Sequence, residues 1–392
     1  MIIASFNVEN LFARAKVLDT TTWEEGAKRL AAFERFNRVA QRRRYRAADK
    51  RTMVGDLITL GVLTTSGSKV IRQPNRGAQM ALLRENRGDF IVEHRDERGV
   101  EVVAGGRGGW IGWIELIVEP VDEVAIRMTA RVVRDVHADI LAVVEAENRP
   151  SLVRFNEEML GDRYRHVMLV DGNDQRGIDV GLLTTRRYPI TSVTSHVDDR
   201  DTKNTSADKR ENRLFSRDAP VYTVRCAEHE VHVVVNHLKS QSRTGTEPPD
   251  DLRRRQSDRL AAIYRELRRN GATYVAMVGD FNRGPEDGAH PSLEALFNRR
   301  LGLVDAFSLR TFEVGPRLGT FQGSSLRDRL DYIFLSPELA ACVRRGGVFR
   351  KGLWGRATNI NPPEDWTIYP EITGSKHAAS DHAAIWVDVR LP

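Results

Sequence analysis

The chain has 392 residues, 41% of them hydrophobic and 29% charged, with 60 Lys and Arg against 54 Asp and Glu for a formal net charge of +6. That is enough apolar material for one large or two modest cores, and the mild positive excess permits a polyanionic partner without pointing to one. Only two cysteines (Cys226 and Cys342), no run of about 18 apolar residues and no basic-then-apolar leader exclude a disulfide scaffold, a cysteine zinc site, a membrane span and a secretion signal, so a cytoplasmic globular protein is expected.

In chain order, MIIASFNV (1–8) reads as the first buried strand, being apolar and β-branched. Residues 13–123 then differ from the rest. AKRLAAFERFNRVAQRRRYR and KRTMVGDLITLGVL read as helices, while DFIVEHR, GVEVVAG and WIGWIELIVE read as short strands between Gly-rich turns such as AGGRGG. This block reads as an inserted subdomain of helices plus a small antiparallel sheet. Residues 13–124 hold 20 Lys and Arg against 16 Asp and Glu, so much of the net positive charge lies there.

The helical spacing of Val124, Met128, Val132, Val133 and Val136 precedes a second strand, ADILAVVEAE (138–147). Further strands are expected at IDVGLLT (178–184), EVHVVVNHL (230–238), TYVAMVGDFN (273–282), RLDYIFLS (329–336) and HAAIWVDVRL (382–391), with another helix over 252–267. Residues 198–213 and 240–251 are polar and unpatterned and read as mobile loops. Helices and strands mix without a strict βαβ rhythm, so an α+β fold of two packed sheets with flanking helices is expected.

These strands share one property: polar side chains close or open them. Asn7, Glu145, Asn236-His237, Asp280 with Asn282, Arg329 with Asp331, and Asp381-His382 all stand at such ends. A strand end can present a charged group at a rim without burying it uncompensated. If the ends converge, the rim gathers carboxylates, imidazoles and carboxamides. Such a set, with oxygen ligands and no cysteine, suits Mg²⁺ or Mn²⁺ better than zinc.

The ordered set FNVEN, DILAVVEAEN, RGIDVGLL, VVVNHLKS, VGDFN, RLDYIFLS and SDHAAIW resembles the endonuclease/exonuclease/phosphatase superfamily, the DNase I-like group, over roughly residues 1–12 and 124–392. The resemblance implies a four-layer sandwich of two mostly antiparallel sheets between helices, interrupted by the 13–123 insertion. It also implies a divalent-metal-dependent phosphoester hydrolase in which water attacks in line. A nuclease acting on DNA or RNA, endonucleolytic by expectation, leads; a phosphatase or phosphodiesterase for a small phosphorylated molecule or lipid head group is the alternative. By position, Asn7 and Glu145 match the metal-binding pair, and Asp381 matches a carboxylate near the metal. Asp280 matches the residue that orients or deprotonates water, and Asn282 the one that binds a phosphate oxygen. His382 matches the histidine that contacts the scissile phosphate, with Asp331 orienting it, and His237 stands where DNase I-like members carry a second histidine. Arg176 is expected as a phosphate contact and Asp179 as a partner of His237, while Arg329 is grouped with the substrate-binding residues.

Other features keep two readings. Asn236 fits either substrate contact or a structural hold on the following loop. QRRRYR (41–46) and RRRQSDR (253–259) fit either a track for a phosphate backbone or a solvated helix face. Trp110 and Trp113 fit base stacking or core packing, and His377 lies close enough to Asp381 in sequence to reach substrate.

Overall fold

The computed structural model describes residues 1–11, 13–18, 23–120, 123–174, 176–201, 203, 212–241, 247–285, 291–322, 325–355 and 366–392. Parts of the two polar stretches read as loops, residues 202, 204–211 and 242–246, lie outside the described residues. The chain divides into two compact units, Met1–Phe12 with Val121–Pro392, and Ala13–Pro120.

The larger unit is built on two sheets. The first has seven strands in the order Tyr164–Val170, Asp179–Thr185, Ile140–Ala146, Ile2–Leu11, Ala384–Val389, Val343–Phe349 and Phe312–Glu313. The second has six: Ile190–Thr194, Val221–Cys226, His229–His237, Tyr274–Asp280, Asp331–Leu335 and Val304–Asp305. Most neighbours run antiparallel; Ile2–Leu11 with Ile140–Ala146, His229–His237 with Tyr274–Asp280, and Phe312–Glu313 with Val343–Phe349 are parallel.

The residue alternation of a strand explains the layering. Ile140, Ala142 and Val144 point between the sheets and meet Val231, Val233, Val235, Val278 and Ile333. Leu141 and Val143 point the other way, onto helices Glu123–Val136 and Arg149–Leu160. On the far side of the second sheet, Val234, Val275 and Met277 pack against helix Pro249–Arg269 through Leu260, Ile263 and Tyr264. The order is therefore helix, sheet, sheet, helix, and strands apolar on both faces read as continuous hydrophobic runs for that reason.

The smaller unit has its own core. Helices Trp23–Ala40 and Ala47–Thr59 enclose Phe36, Met53, Leu57, Phe90 and Trp110 together with four two-stranded ladders. The first helix stops at Ala40, short of the expected QRRRYR continuation, because Tyr45 turns inward. Its hydroxyl donates to the Ala40 carbonyl at 2.7 Å and accepts from the Trp110 indole at 3.0 Å. Trp110 stacks on Phe90 and is core, whereas Trp113 is half exposed. Among the described residues no helix is long and apolar enough to cross a membrane.

Gly279 sits where the two parallel strands of the second sheet pass closest to the polar strand ends. Its φ is +134°, and a Cβ there would lie 2.0 Å from the Asn236 carbonyl oxygen. Gly279→Ala is therefore expected to destabilise the fold by more than about 1 kcal/mol in urea unfolding, and an unchanged midpoint would contradict this packing.

Candidate active site

Register alone brings three of the polar residues into one row. In the second sheet His237 pairs with Asp280 across the parallel ladder, and Asp280 pairs with Asp331 across the antiparallel one. The first sheet supplies the opposing wall. Asn7 lies opposite Val144 just before a register shift, and Glu145 occupies the shift in its own strand with φ +66°. A left-handed conformation at a non-glycine residue is costly and marks a side chain being aimed. His382 precedes the central strand Ala384–Val389 and reaches across to the second sheet.

The two walls are joined by short contacts. His382 Nδ1 lies 2.8 Å from Asp331 Oδ2, and its Nε2 lies 3.8 Å from Asp280 Oδ2 and 3.9 Å from Asp381 Oδ1. His237 Nε2 is 3.6 Å from Glu145 Oε1 and 3.7 Å from Asp280 Oδ2. The Asn7 amide donates to Asp280 Oδ2 at 3.3 Å. Ser380 ties the parts together, donating to the Asn7 carbonyl and accepting from the His382 N–H. Thr320 Oγ1 receives the N–H groups of Leu330 and Asp331.

Burial separates the titrations of these groups. Asp280, 2% exposed, is pushed up out of the usual carboxylate range. Burial dominates; His382 and the Asn282 N–H oppose it, and Asp331 and Glu145 add to it. Burial also works against a charged His382, but Asp331, Asp280 and Asp381 together outweigh it and hold the imidazolium well above the ordinary histidine range. His237 goes the other way: burial and the cations of Arg217, Arg176 and His382 hold it well below that range. Two imidazoles in one site are thus driven in opposite directions. Environments that drive titratable groups apart in this way assign acid and base roles.

Arg217 explains the second case and has no motif to announce it. Its guanidinium is 4% exposed, donates from Nε to His237 Nδ1 at 3.1 Å, and pairs with Asp174 at 3.3 Å. A guanidinium can only donate, so His237 accepts from it and is kept neutral. Asp174 also takes a two-bond fork from Arg176, 3.0 Å and 2.9 Å. Asp179 is not the partner of His237: it accepts the Gly172 N–H at 2.7 Å, and burial, opposed by that bond, carries it up to about 7.

The remaining expected residues separate. Asn282, with φ +55°, donates its N–H to Asp280 Oδ1 and its amide to the Leu238 carbonyl. Asn236 is fully buried, and its amide donates to the carbonyls of Val234 and Val278 within the two parallel strands, not to the loop that follows. Arg329 is turned away from the row, paired with Asp305 at 3.0 Å and held over the rings of Phe307 and Tyr332. His377 bonds Thr373 Oγ1. Of the RRRQSDR run, Arg253 is buried and Arg255 and Arg259 are paired with Asp201, Glu247, Asp199 and Glu266, so these three offer little free charge.

The row is short of positive charge. Glu145, Asp280, Asp331 and Asp381 surround one imidazolium, and Asp381 is pushed up by its burial, with Glu145 and Asp331 adding to that shift. Among the described residues no three His, Cys, Asp or Glu side chains are arranged to hold an ion by themselves. Carboxylate and carboxamide oxygens of Glu145 and Asn7 still fit a hard divalent cation, since Mg²⁺ commonly takes one or two protein oxygens and fills the rest with water and phosphate.

The model of the Endonuclease/Exonuclease/phosphatase family matches residues 123–382, well over half of the chain. The chain belongs to that family. Members of the endonuclease/exonuclease/phosphatase superfamily are phosphoester hydrolases. Among solved structures, the chain is similar to the mannosyl-6-phosphatase Bt3783 of Bacteroides thetaiotaomicron at 17% identity, over 68% of this chain and 91% of that one, with a TM-score of 0.47. It is similar to the human Nocturnin catalytic domain with bound sulfate at 15% identity, over 70% and 89%, TM-score 0.48. The third is truncated TDP2 of Caenorhabditis elegans at 16% identity, over 67% and 90%, TM-score 0.43. No curated protein matches by sequence.

The His382–Asp331 pair fixes a sign. A histidine raised in the folded state adds stability that is complete below its unfolded value, about 6.5, and is lost as pH rises through the raised native one. Asp331→Asn should lower the His382 titration followed by NMR and flatten the fall in stability with rising pH above neutrality. An unmoved titration would show that Asp331 does not govern the ring.

Proposed function

We propose that the protein is a divalent-metal-dependent phosphodiesterase that hydrolyses nucleic acid, with Mg²⁺ or Mn²⁺ held by Asn7 and Glu145 beside Asp381. The observation that carries this reading is the in-register row His237–Asp280–Asp331 closed from the opposite sheet by His382 on Asp331. A bound divalent cation would neutralise charge on the phosphoryl oxygens. The protein's own residues divide the remaining work.

His382, kept cationic by Asp331, faces the row with Nε2 and donates a charge-assisted hydrogen bond to a phosphoryl oxygen where negative charge builds. Asp280 is the group left to accept a proton: His237 is occupied by Arg217, and Asp331 by His382. A carboxyl raised toward neutrality is a better-matched base than an ordinary one, and the Asn282 N–H and Asn7 amide fix its two oxygens. Water held by Asp280 attacks phosphorus in line with the departing oxygen, with no covalent intermediate. His237 remains a neutral group between Glu145 and Asp280 that helps to orient the attack. Arg176 and Arg217 line the same side and favour an anionic substrate.

Nucleic acid is favoured over a small phosphorylated molecule by the net charge of +6 and by the surplus of Lys and Arg in the smaller unit. There, the arginines of the QRRRYR run are exposed around a buried Tyr45.

With Mg²⁺, supercoiled plasmid DNA or RNA should be cleaved, and EDTA should abolish the activity. Asp280→Ala and His382→Ala should each reduce kcat by about 10²–10⁴-fold. Turnover of small phosphomonoesters alone, with no cleavage of either polymer, would contradict the nuclease reading.

A further inference from the structure

Beside the row, with Ser380 and Asp381 in its lining, is a cavity of about 620 Å³. It is lined in part by Leu353 and Trp354 and by the segment Thr373–Lys376. Glu9 and Asp381 form its acidic wall, and Asp381 Oδ1 lies 3.9 Å from His382 Nε2. That wall is firmly held. Glu9 Oε2 accepts the Asp381 N–H at 2.9 Å, and the Gln322 N–H donates to the Asp381 carbonyl at 2.7 Å. Both holding residues have φ of +49°, a conformation that costs energy at a non-glycine position and persists where surrounding structure imposes it.

The cavity is far larger than a phosphate needs and falls within the range of small-molecule sites. Its chemistry is mixed in a particular way. Leu353 is buried, Trp354 half-buried, and Lys376 is exposed with no ion pair among the described residues. The acidic wall of Glu9 and Asp381 disfavours a second anionic group there. An indole and an aliphatic side chain suit a flat ring, and an ammonium at the rim suits ring acceptors. Gly374 has extended backbone at φ −178°, and a Cβ at this position meets nothing within 4 Å.

We infer that this cavity receives the organic part of the substrate: an aromatic heterocycle of nucleobase size, joined through its sugar to the phosphoryl group at His382. The inference rests on the phosphoester reading above and adds the class of group recognised. Specificity then resides in Trp354, Lys376 and the space over Gly374, outside the chemistry at His382.

The test is binding, by isothermal titration calorimetry with the full chain in Mg²⁺, using AMP, ribose 5-phosphate and inorganic phosphate as probes. AMP should bind at least about ten-fold more tightly than either of the others. Gly374→Phe, which fills the cavity, should remove that advantage while leaving phosphate affinity within about two-fold. Lys376→Met, at an exposed site that cannot unfold the protein, should weaken AMP by about three-fold or more without changing phosphate. Equal affinities for the three probes in the unaltered protein, or tight AMP binding retained in both variants, would overturn the assignment. Plasmid cleavage by the same preparations reads the hydrolase reading separately. Binding as predicted without any cleavage would leave the cavity assignment standing and sink the catalytic one.

Discussion

Four carboxylates and two imidazoles stand between two apolar sheets, and the cost of keeping them there shapes the rest of the molecule. Removing charge from water is expensive unless partners compensate. Compensation here is local and specific: Asp331 on His382, Asp174 on Arg217, and Asn7 with the Asn282 N–H on Asp280. Asp331, Asp174 and Asn7 come from stretches of chain remote from the groups they match. The matching therefore depends on the assembled sheets.

The apolar strands provide that completion. Val231, Val233 and Val235 on one sheet face Ile140, Ala142 and Val144 on the other, and the same strands end in His237 and Glu145. The alternation that buries valines at one end delivers polar side chains to the rim at the other. Several departures from regular structure fall at the rim: Glu145, Asn282, Glu9 and Gln322 are left-handed, and Gly279 leaves room for the neighbouring strand. Local strain of this kind is held in place by the packed sheets beneath it.

The layered fold was legible because buried strands are apolar on both faces and leave unmistakable runs such as ILAVV and VHVVV. Strands with one wet face or little length were not: Tyr164–Val170, Ile190–Thr194 and Val343–Phe349 interleave polar residues and sit toward sheet edges. Helix Arg149–Leu160 carries its signal in Asn148 as cap with Pro150 in the first turn, and not in a regular apolar spacing. For the site, strand ends located Asn7, Glu145, His237, Asp280, Asp331 and His382. Arg217 and Asp174 could not be found that way, since they lie outside the strands and their meaning comes only from what folds against them. Arg329 shows the converse. It stands two residues before Asp331 but points to Asp305, because it closes the 3₁₀ turn Leu326–Asp328 and lies outside the strand that begins at Asp331.

The account stands on the claim that Glu145 and its companions form a single cation-requiring centre. Mn²⁺ titration followed by electron paramagnetic resonance, on the unaltered chain and on Glu145→Ala, measures this without reference to any substrate. One bound ion per chain, lost in the variant while the unfolding transition is preserved, is the predicted result. The same ion uptake by both proteins, or by neither, would contradict it.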